Sequence, residues 1–177
     1  PIFPMGGSEF DLSFKFTLPY SAFNDVDYAG LREERTEAIA NNDNEALARI
    51  DQERFNWLEF YKVKFSGDWY NNLFDKLVLR TRFEYGFLGA YNNDRGIPPF
   101  ERFFLGGDGL AGFALDGREI VALRGYPNQS ILPRSRTVGG EESFNDGASI
   151  YNKYTMELRY PITLKPSASI YGLAFME

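Results

Sequence analysis

Gly107, Gly109 and Gly112 stand in the GxGxxG spacing that cradles a dinucleotide, and so are the first candidates for chemistry in this chain. That motif works because a helix follows it and an acidic residue about 20 positions on holds the ribose. Here residues 113–123 read as an extended segment with a glycine-containing turn, and no acidic residue lies near position 130. The glycines are therefore assigned to a turn where the backbone takes positive φ or passes close to another wall. No cofactor is expected. The chain has no histidine and no cysteine, which excludes Ser-His-Asp triads, histidine bases, thiolate nucleophiles and His- or Cys-ligated metals. Asp and Glu pairs occur, but none has a spacing that specifies catalysis. The expectation is no enzyme, no catalytic residue and no metal site. A net charge of −6 argues against nucleic acid as a partner, because phosphate backbones demand clustered Lys and Arg. One further run, Leu123-Arg124-Gly125-Tyr126, says little by itself, and its weight comes from its surroundings.

Those surroundings are strands that alternate apolar and polar residues, joined by connections that run long, short, long, short. In residues 9–18, Phe10, Leu12, Phe14, Phe16 and Leu18 share one face, and Glu9, Asp11, Ser13, Lys15 and Thr17 the other. Period-2 alternation of this strictness predicts a sheet with one apolar and one polar side. Residues 59–70 put Tyr61, Val63, Phe65 and Trp69 against Lys62, Lys64, Ser66 and Asp68, and a turn is expected around Asn71, Asn72, Asp75 and Lys76. Residues 77–91 oppose Leu77, Leu79, Phe83, Tyr85 and Phe87 to Arg80, Arg82 and Glu84. Residues 150–164 oppose Ile150, Tyr154, Met156, Leu158, Tyr160 and Ile162 to Lys153, Thr155, Glu157 and Arg159. After a tight turn at Lys165, Pro166 and Ser167, residues 169–177 begin a fifth strand. Both of its faces are largely apolar, so periodicity leaves the direction of Glu177 open.

Each clear strand reaches the roughly 9–11 residues that a tilted transmembrane strand needs, whereas no segment approaches the roughly 20 apolar residues of a membrane helix. The mean hydropathy of −0.37 does not oppose this, because lipid-facing residues at every second position leave no long apolar run. Short turns alternating with long loops are the habit of bacterial outer-membrane barrels. The expected fold is all-β, an antiparallel transmembrane β-barrel fragment of about five strands, with a helical external loop over 21–56 and a long inward-folded loop over 92–147. Tyr20, Trp69, Tyr70, Tyr91, Tyr151 and Tyr171 lie near strand ends, either as interfacial girdles or because aromatics favour strands. Residues 31–40 and 44–55 read as two helices with a narrow apolar stripe at Leu47 and Ile50. That loop is either a docking site for a partner or a surface hairpin. Loop 92–147 carries Phe100, Phe103, Phe104, Leu105, Phe113, Leu115, Ile120, Val121 and Leu123, which need cover, and folding back into a lumen would supply it. The chain begins at Pro1 without a signal peptide and reads as mid-protein sequence.

The order of three motifs carries a resemblance. Pro99-Phe100-Glu101-Arg102-Phe103-Phe104-Leu105-Gly106-Gly107 opens the long loop, Leu123-Arg124-Gly125-Tyr126 follows, and Glu157-Leu158-Arg159-Tyr160-Pro161 lies in a later strand beyond Gly139-Gly140. The chain resembles, over essentially its whole length, the BamA-like family of outer-membrane assembly barrels, the bacterial surface antigen superfamily. The resemblance implies a luminal-loop tip at Leu123, Arg124, Gly125 and Tyr126, reached through the glycines Gly106 and Gly107. It implies that Arg124 pairs with acidic residues of the next two strands, which fall on Glu157 and Glu177. A guanidinium suits such a task because its planar fork binds carboxylates bidentately.

The function implied is folding and insertion of β-barrel proteins into the bacterial outer membrane. Its partners would be the lipid bilayer, unfolded outer-membrane protein clients and accessory assembly lipoproteins, with no nucleic acid. A polypeptide-secretion pore of the same superfamily is the second reading. A soluble β-barrel or sandwich binding module is the third, and it requires the Phe10, Phe14 and Phe16 row to be packed against another sheet.

Overall fold

The computed structural model describes residues 3–108, 118–131, 133, 135–136, 142–143, 147–165 and 167–177. Five long strands, β1 (Gly7–Phe16), β2 (Tyr61–Phe74), β3 (Leu77–Gly89), β8 (Ile150–Lys165) and β9 (Ala168–Met176), form one antiparallel sheet in the order β1-β2-β3-β8-β9. Among the described residues this sheet is open, with β1 and β9 at its edges. The five expected strands are present with shifted ends. β2 runs through Asn71 and Asn72 to Phe74, so the turn is confined to Asp75 and Lys76, with Asp75 at φ 46. β1 stops at Phe16 because Thr17 takes over the pairing. Its side-chain oxygen accepts from the Phe60 N–H at 2.8 Å while its own N–H donates to the Phe60 carbonyl at 3.0 Å.

The chain forms two compact units. The first, Pro1–Ser13, Val63–Gly86 and Tyr151–Glu177, consists of sheet. Its burial is inverted relative to a protein in water. Along β8 the even positions are exposed and, apart from Asn152, apolar, with Tyr154 at 65% and Ile162 at 71%, whereas Thr155 and Glu157 on the odd positions are 3% exposed. An aromatic row crosses the apolar face from β1 to β8, with ring centroids 6.2 Å apart for Phe10–Phe65, 6.0 Å for Phe65–Phe83 and 5.0 Å for Phe83–Tyr154. Such cross-strand pairs are the unit by which a sheet face is stabilised. Trp69 lies edge-on to Phe10 at 5.1 Å, over the space left by Gly67. Tyr70 and Tyr171 take the other side, beneath the Arg159 guanidinium at 5.8 and 5.9 Å. A girdle role for those two is thereby corrected: they pack against charge, and Trp69 and Tyr70 lie well inside β2. The pairing of Met156 with Met176 and of Glu157 with Phe175 settles the register of β9, and Glu177 just beyond it turns toward Lys153.

The second unit, Phe14–Lys62 and Phe87–Ile150, holds the connections. Helices α1 (Tyr28–Ala40) and α2 (Asn44–Arg54) make a hairpin with its own small core of Tyr28, Leu31, Ala38 and Ile50. Each starts at an aspartate whose side chain accepts a backbone N–H of the first turn, Asp27 from Gly30 and Asp43 from Ala46, both at 3.0 Å. The Asp27 cap moves the start of α1 upstream of the expected position 31. The long loop has structure that no periodicity announces. β4 (Phe103–Leu105) pairs in parallel with β5 (Glu119–Val121), and the two-residue strands β6 (Ser135–Arg136) and β7 (Glu142–Ser143) pair antiparallel. β4 is bonded on its other side to Ala148, through Phe103 N–H to the Ala148 carbonyl at 2.9 Å and the reverse bond at 2.7 Å. Among the described residues no helix is long and apolar enough to cross a membrane, which does not bear on strands.

Ile50 is 2% exposed at the centre of the hairpin core. Ile50→Ala is expected to cost about 2–5 kcal/mol locally. It should speed tryptic cleavage at Arg32, Arg35 and Arg49 and leave β3 and β8 protected; unchanged cleavage would refute an independent hairpin core.

Candidate functional site: a charged sheet face and a glycine-seated turn

On the polar face of the first unit, eight charged side chains from β2, β3, β8 and the end of β9 form one continuous series. Glu177 approaches Lys153 at 3.7 Å, and Lys153 approaches Glu84 at 3.4 Å. Glu84 accepts from Arg82 at 2.6 Å, and Arg82 donates to Asp68 at 3.2 Å. Asp68 accepts from Arg80 at 2.6 Å, Arg80 donates to Glu157 at 3.2 Å, and Arg159 donates to Glu157 at 2.8 Å. Four carboxylates thus interleave with four cations, so none of them carries its desolvation cost alone. Glu157 and Glu177, the two carboxylates singled out by the sequence, are members of this one series. Asp68, Arg80, Arg82 and Glu84 are the members that sequence reasoning placed on the polar face without assigning a partner. Strand alternation contained the signal for their side of the sheet, but not for who meets whom.

The 123–126 turn belongs to the second unit and is built on the strand pair that precedes it. β4 runs directly into Gly106 and Gly107, and β5 is followed after Ala122 by Leu123-Arg124-Gly125-Tyr126. Beyond the last parallel rung the two segments stay bonded, with Gly107 and Leu123 forming an isolated antiparallel bridge. Gly106 N–H donates to the Val121 carbonyl, Leu123 N–H to the Gly107 carbonyl, and Gly107 N–H to the Tyr126 carbonyl, each at 3.0 Å. Gly106 and Gly107 adopt φ +118 and +98, where L side chains are strained. A Cβ on Gly106 would lie 2.3 Å from the Pro127 carbonyl oxygen, and one on Gly107 would lie 2.0 Å from Asn128 Oδ1. The double glycine is therefore a seat against which residues 126–130 lie. Gly125 differs: it has φ +87 but open space around its Cβ position, so it serves the bend alone. Arg124 is half-buried, and the Tyr126 ring is half-exposed, so its backbone rather than its ring makes the described contacts. Gly109, Gly112, Gly139 and Gly140 lie outside the described residues.

At the start of the same strand pair sits a second cluster that the sequence did not reveal. The Lys62 ammonium, its side chain 4% exposed, donates to Glu101 at 2.8 Å and to Glu119 at 2.9 Å, and stands 4.9 Å above the Phe103 ring. Lys15 donates to the same Glu101 at 2.6 Å. Burial works to raise the Glu101 carboxyl, but the hydrogen bonds from Lys15 and Lys62 outweigh it and hold the group below the ordinary carboxylate range. A third cluster ties the stem of the hairpin to residues 92–96. Arg95 and Glu59, both 1% exposed, are paired at 3.3 Å. Glu59 also accepts from the Ser21 N–H and hydroxyl at 2.7 Å, and Arg95 Nε donates to the Arg54 carbonyl at 2.7 Å. Among the described residues no group of three or more carboxylates is placed to hold a metal ion.

The first unit thus exposes an apolar sheet face and covers most of a charged one. The chain belongs to the Omp85 superfamily, whose domain matches residues 1–177. Members of that superfamily are outer-membrane proteins of insertion and secretion. Comparison with curated proteins gave no match.

Two outcomes are expected. Gly107→Ala combines a positive φ with a side-chain collision and should destabilise the turn by about 1–3 kcal/mol. Faster amide exchange at Leu123 is the readout, and an unchanged rate would refute the seat. Because the folded Glu101 carboxyl is depressed, its contribution is present above the ordinary carboxylate range and lost as pH falls through the depressed value. Protection of residues 103–105 from exchange should therefore drop on acidification in the native protein, and drop less in Glu101→Gln.

Proposed function

We propose that this chain forms part of the wall and luminal loop of an outer-membrane β-barrel that folds and inserts other barrel proteins. Its clients are unfolded outer-membrane proteins met in the bilayer, accessory lipoproteins are its partners, and no covalent step is involved. The observation that carries this reading is the inverted burial of the sheet. In water an exposed row of Phe, Tyr, Ile and Leu forfeits roughly 25 cal/mol for every Å² left uncovered. Against lipid the same row is at home, and the buried charges then line a polar interior. Phe10, Phe14 and Phe16 are 55%, 64% and 74% exposed, and no second sheet covers them among the described residues. This counts against the soluble sandwich.

Within this reading Arg124 is the cation of the loop tip, and Glu157 and Glu177 are its acidic partners, as the resemblance implies. The Gly106–Gly107 seat supports the assignment, because it fixes the turn that presents Arg124.

Arg124→Ala in the intact protein is expected to lower client insertion or heat stability, with a cost of about 3–5 kcal/mol for a buried pair stripped of one partner. Arg124→Lys should recover only part of the loss, because an ammonium keeps the charge but lacks the bidentate fork. Normal insertion of several client barrels together with unchanged heat stability would overturn the assignment. Loss of one exported polypeptide with barrel insertion intact would favour the secretion pore.

A further inference from the structure

We infer that Lys62 is a positioning residue for the loop tip: its ammonium, bridging Glu101 and Glu119, sets the register of the parallel β4–β5 pair and so holds residues 123–126 on the glycine seat. The inference rests on the proposed role of the tip only for its functional consequence. The geometry lies within one compact unit.

A parallel pair of three rungs is a weak structure. Parallel ladders are slightly less stable per residue than antiparallel ones, and here only Phe103–Glu119, Phe104–Ile120 and Leu105–Val121 are paired. A slip of one residue would move every side chain to the wrong face. The Lys62 ammonium lies where such a slip would begin. Glu119 is the first rung of β5, directly opposite Phe103, and Glu101 lies two positions before Phe103. Both carboxylates bond the same nitrogen, and Phe103, fully buried, lies beneath it. One buried cation therefore fixes both strands at one end. At the other end, three rungs or roughly 10 Å away, the same two strands become the Gly106–Gly107 seat and the Leu123–Tyr126 turn. Lys62 touches neither. It acts through the ladder, so its effect is one of position rather than contact. Removing the ammonium would leave Lys15 on Glu101 but take away the nitrogen that bonds both carboxylates, and with it the tie between the two strands at this end.

The test compares Lys62→Met, which keeps the stem and removes the charge, with Lys62→Arg in the intact protein held in detergent or lipid nanodiscs. Amide exchange by mass spectrometry reads the 103–107 and 119–126 segments against residues 77–89 as an internal reference. Lys62→Met should accelerate exchange in both loop segments by about tenfold or more while the reference is unchanged, and Lys62→Arg should restore most of the protection. Client insertion should fall in Lys62→Met, with no further loss when Arg124→Ala is added, because both changes disable the same tip. Native exchange in the loop segments of Lys62→Met would overturn the inference. So would equal acceleration in the reference strand, which would mark a general loss of stability. Accelerated loop exchange with normal client insertion in both Lys62→Met and Arg124→Ala would leave the positioning role standing and remove the proposed role of the tip.

Discussion

Charge neutralised in series is the constraint on which the sheet depends. A β-strand sends successive side chains to opposite faces, so a strand that offers an apolar row to one side has no choice but to gather its polar residues on the other. In the first unit those polar residues are long and ionised, and they are covered. Each is tolerable because a neighbour on its own or the next strand carries the opposite sign, from Glu177 through Lys153, Glu84, Arg82, Asp68 and Arg80 to Glu157 and Arg159. Planar guanidinium groups make this possible: Arg80 and Arg82 each reach two carboxylates, and Arg80 and Arg159 also lie over the Tyr70 ring. The aromatic row on the opposite face is the other half of the same arrangement.

The long loop uses the same currency in miniature. It cannot rely on a wide apolar core, and its regular structure among the described residues consists of very short strands. It is held instead by a buried ammonium at one end of a ladder and by two glycines at the other. The motifs that carry the resemblance in sequence, the run from Pro99 to Gly107 and Leu123-Arg124-Gly125-Tyr126, are separate stretches of chain. In space they are one object. Phe103 and Phe104 belong to β4, the glycines end it, and the Arg124 turn rests on those glycines through backbone hydrogen bonds. The spacing between the motifs is free to vary provided that β4 and β5 still meet.

Much of the fold was legible in sequence, and the limits of legibility have physical causes. Strict alternation located four of the five long strands and the face of Glu157, because period 2 is written directly in residue types, while the fifth was placed only by the turn expected before it. Strand ends were less legible. Asn71 and Asn72 are turn-prone types that nonetheless stay in the ladder, and Thr17 replaces a ladder bond with a side-chain one. Tyr70 and Tyr171 looked like girdle residues and turned out to face the charges, since an aromatic ring serves lipid and guanidinium equally well. The β4–β5 pair was illegible because three residues carry no period and its strands are joined by a connection of no standard length. Lys62 and Arg95 were likewise hidden: their partners lie 36 to 57 positions away, and nothing local distinguishes them from exposed charges. Gly107 was expected to need positive φ or a close approach, and it has both; what lies against it, and against Gly106, is set by residues 126–130 far along the chain.

The knot of Arg95, Glu59, Ser21 and Arg54 has a consequence for how this surface is able to diverge. It closes the base of the α1–α2 hairpin with largely covered polar groups, whereas Arg32, Glu33, Thr36, Glu45 and Arg49 on the helices are exposed. Substitution on the outer helix surface therefore leaves those basal contacts intact, while a change at Arg95 or Glu59 strands its partner and costs several times more.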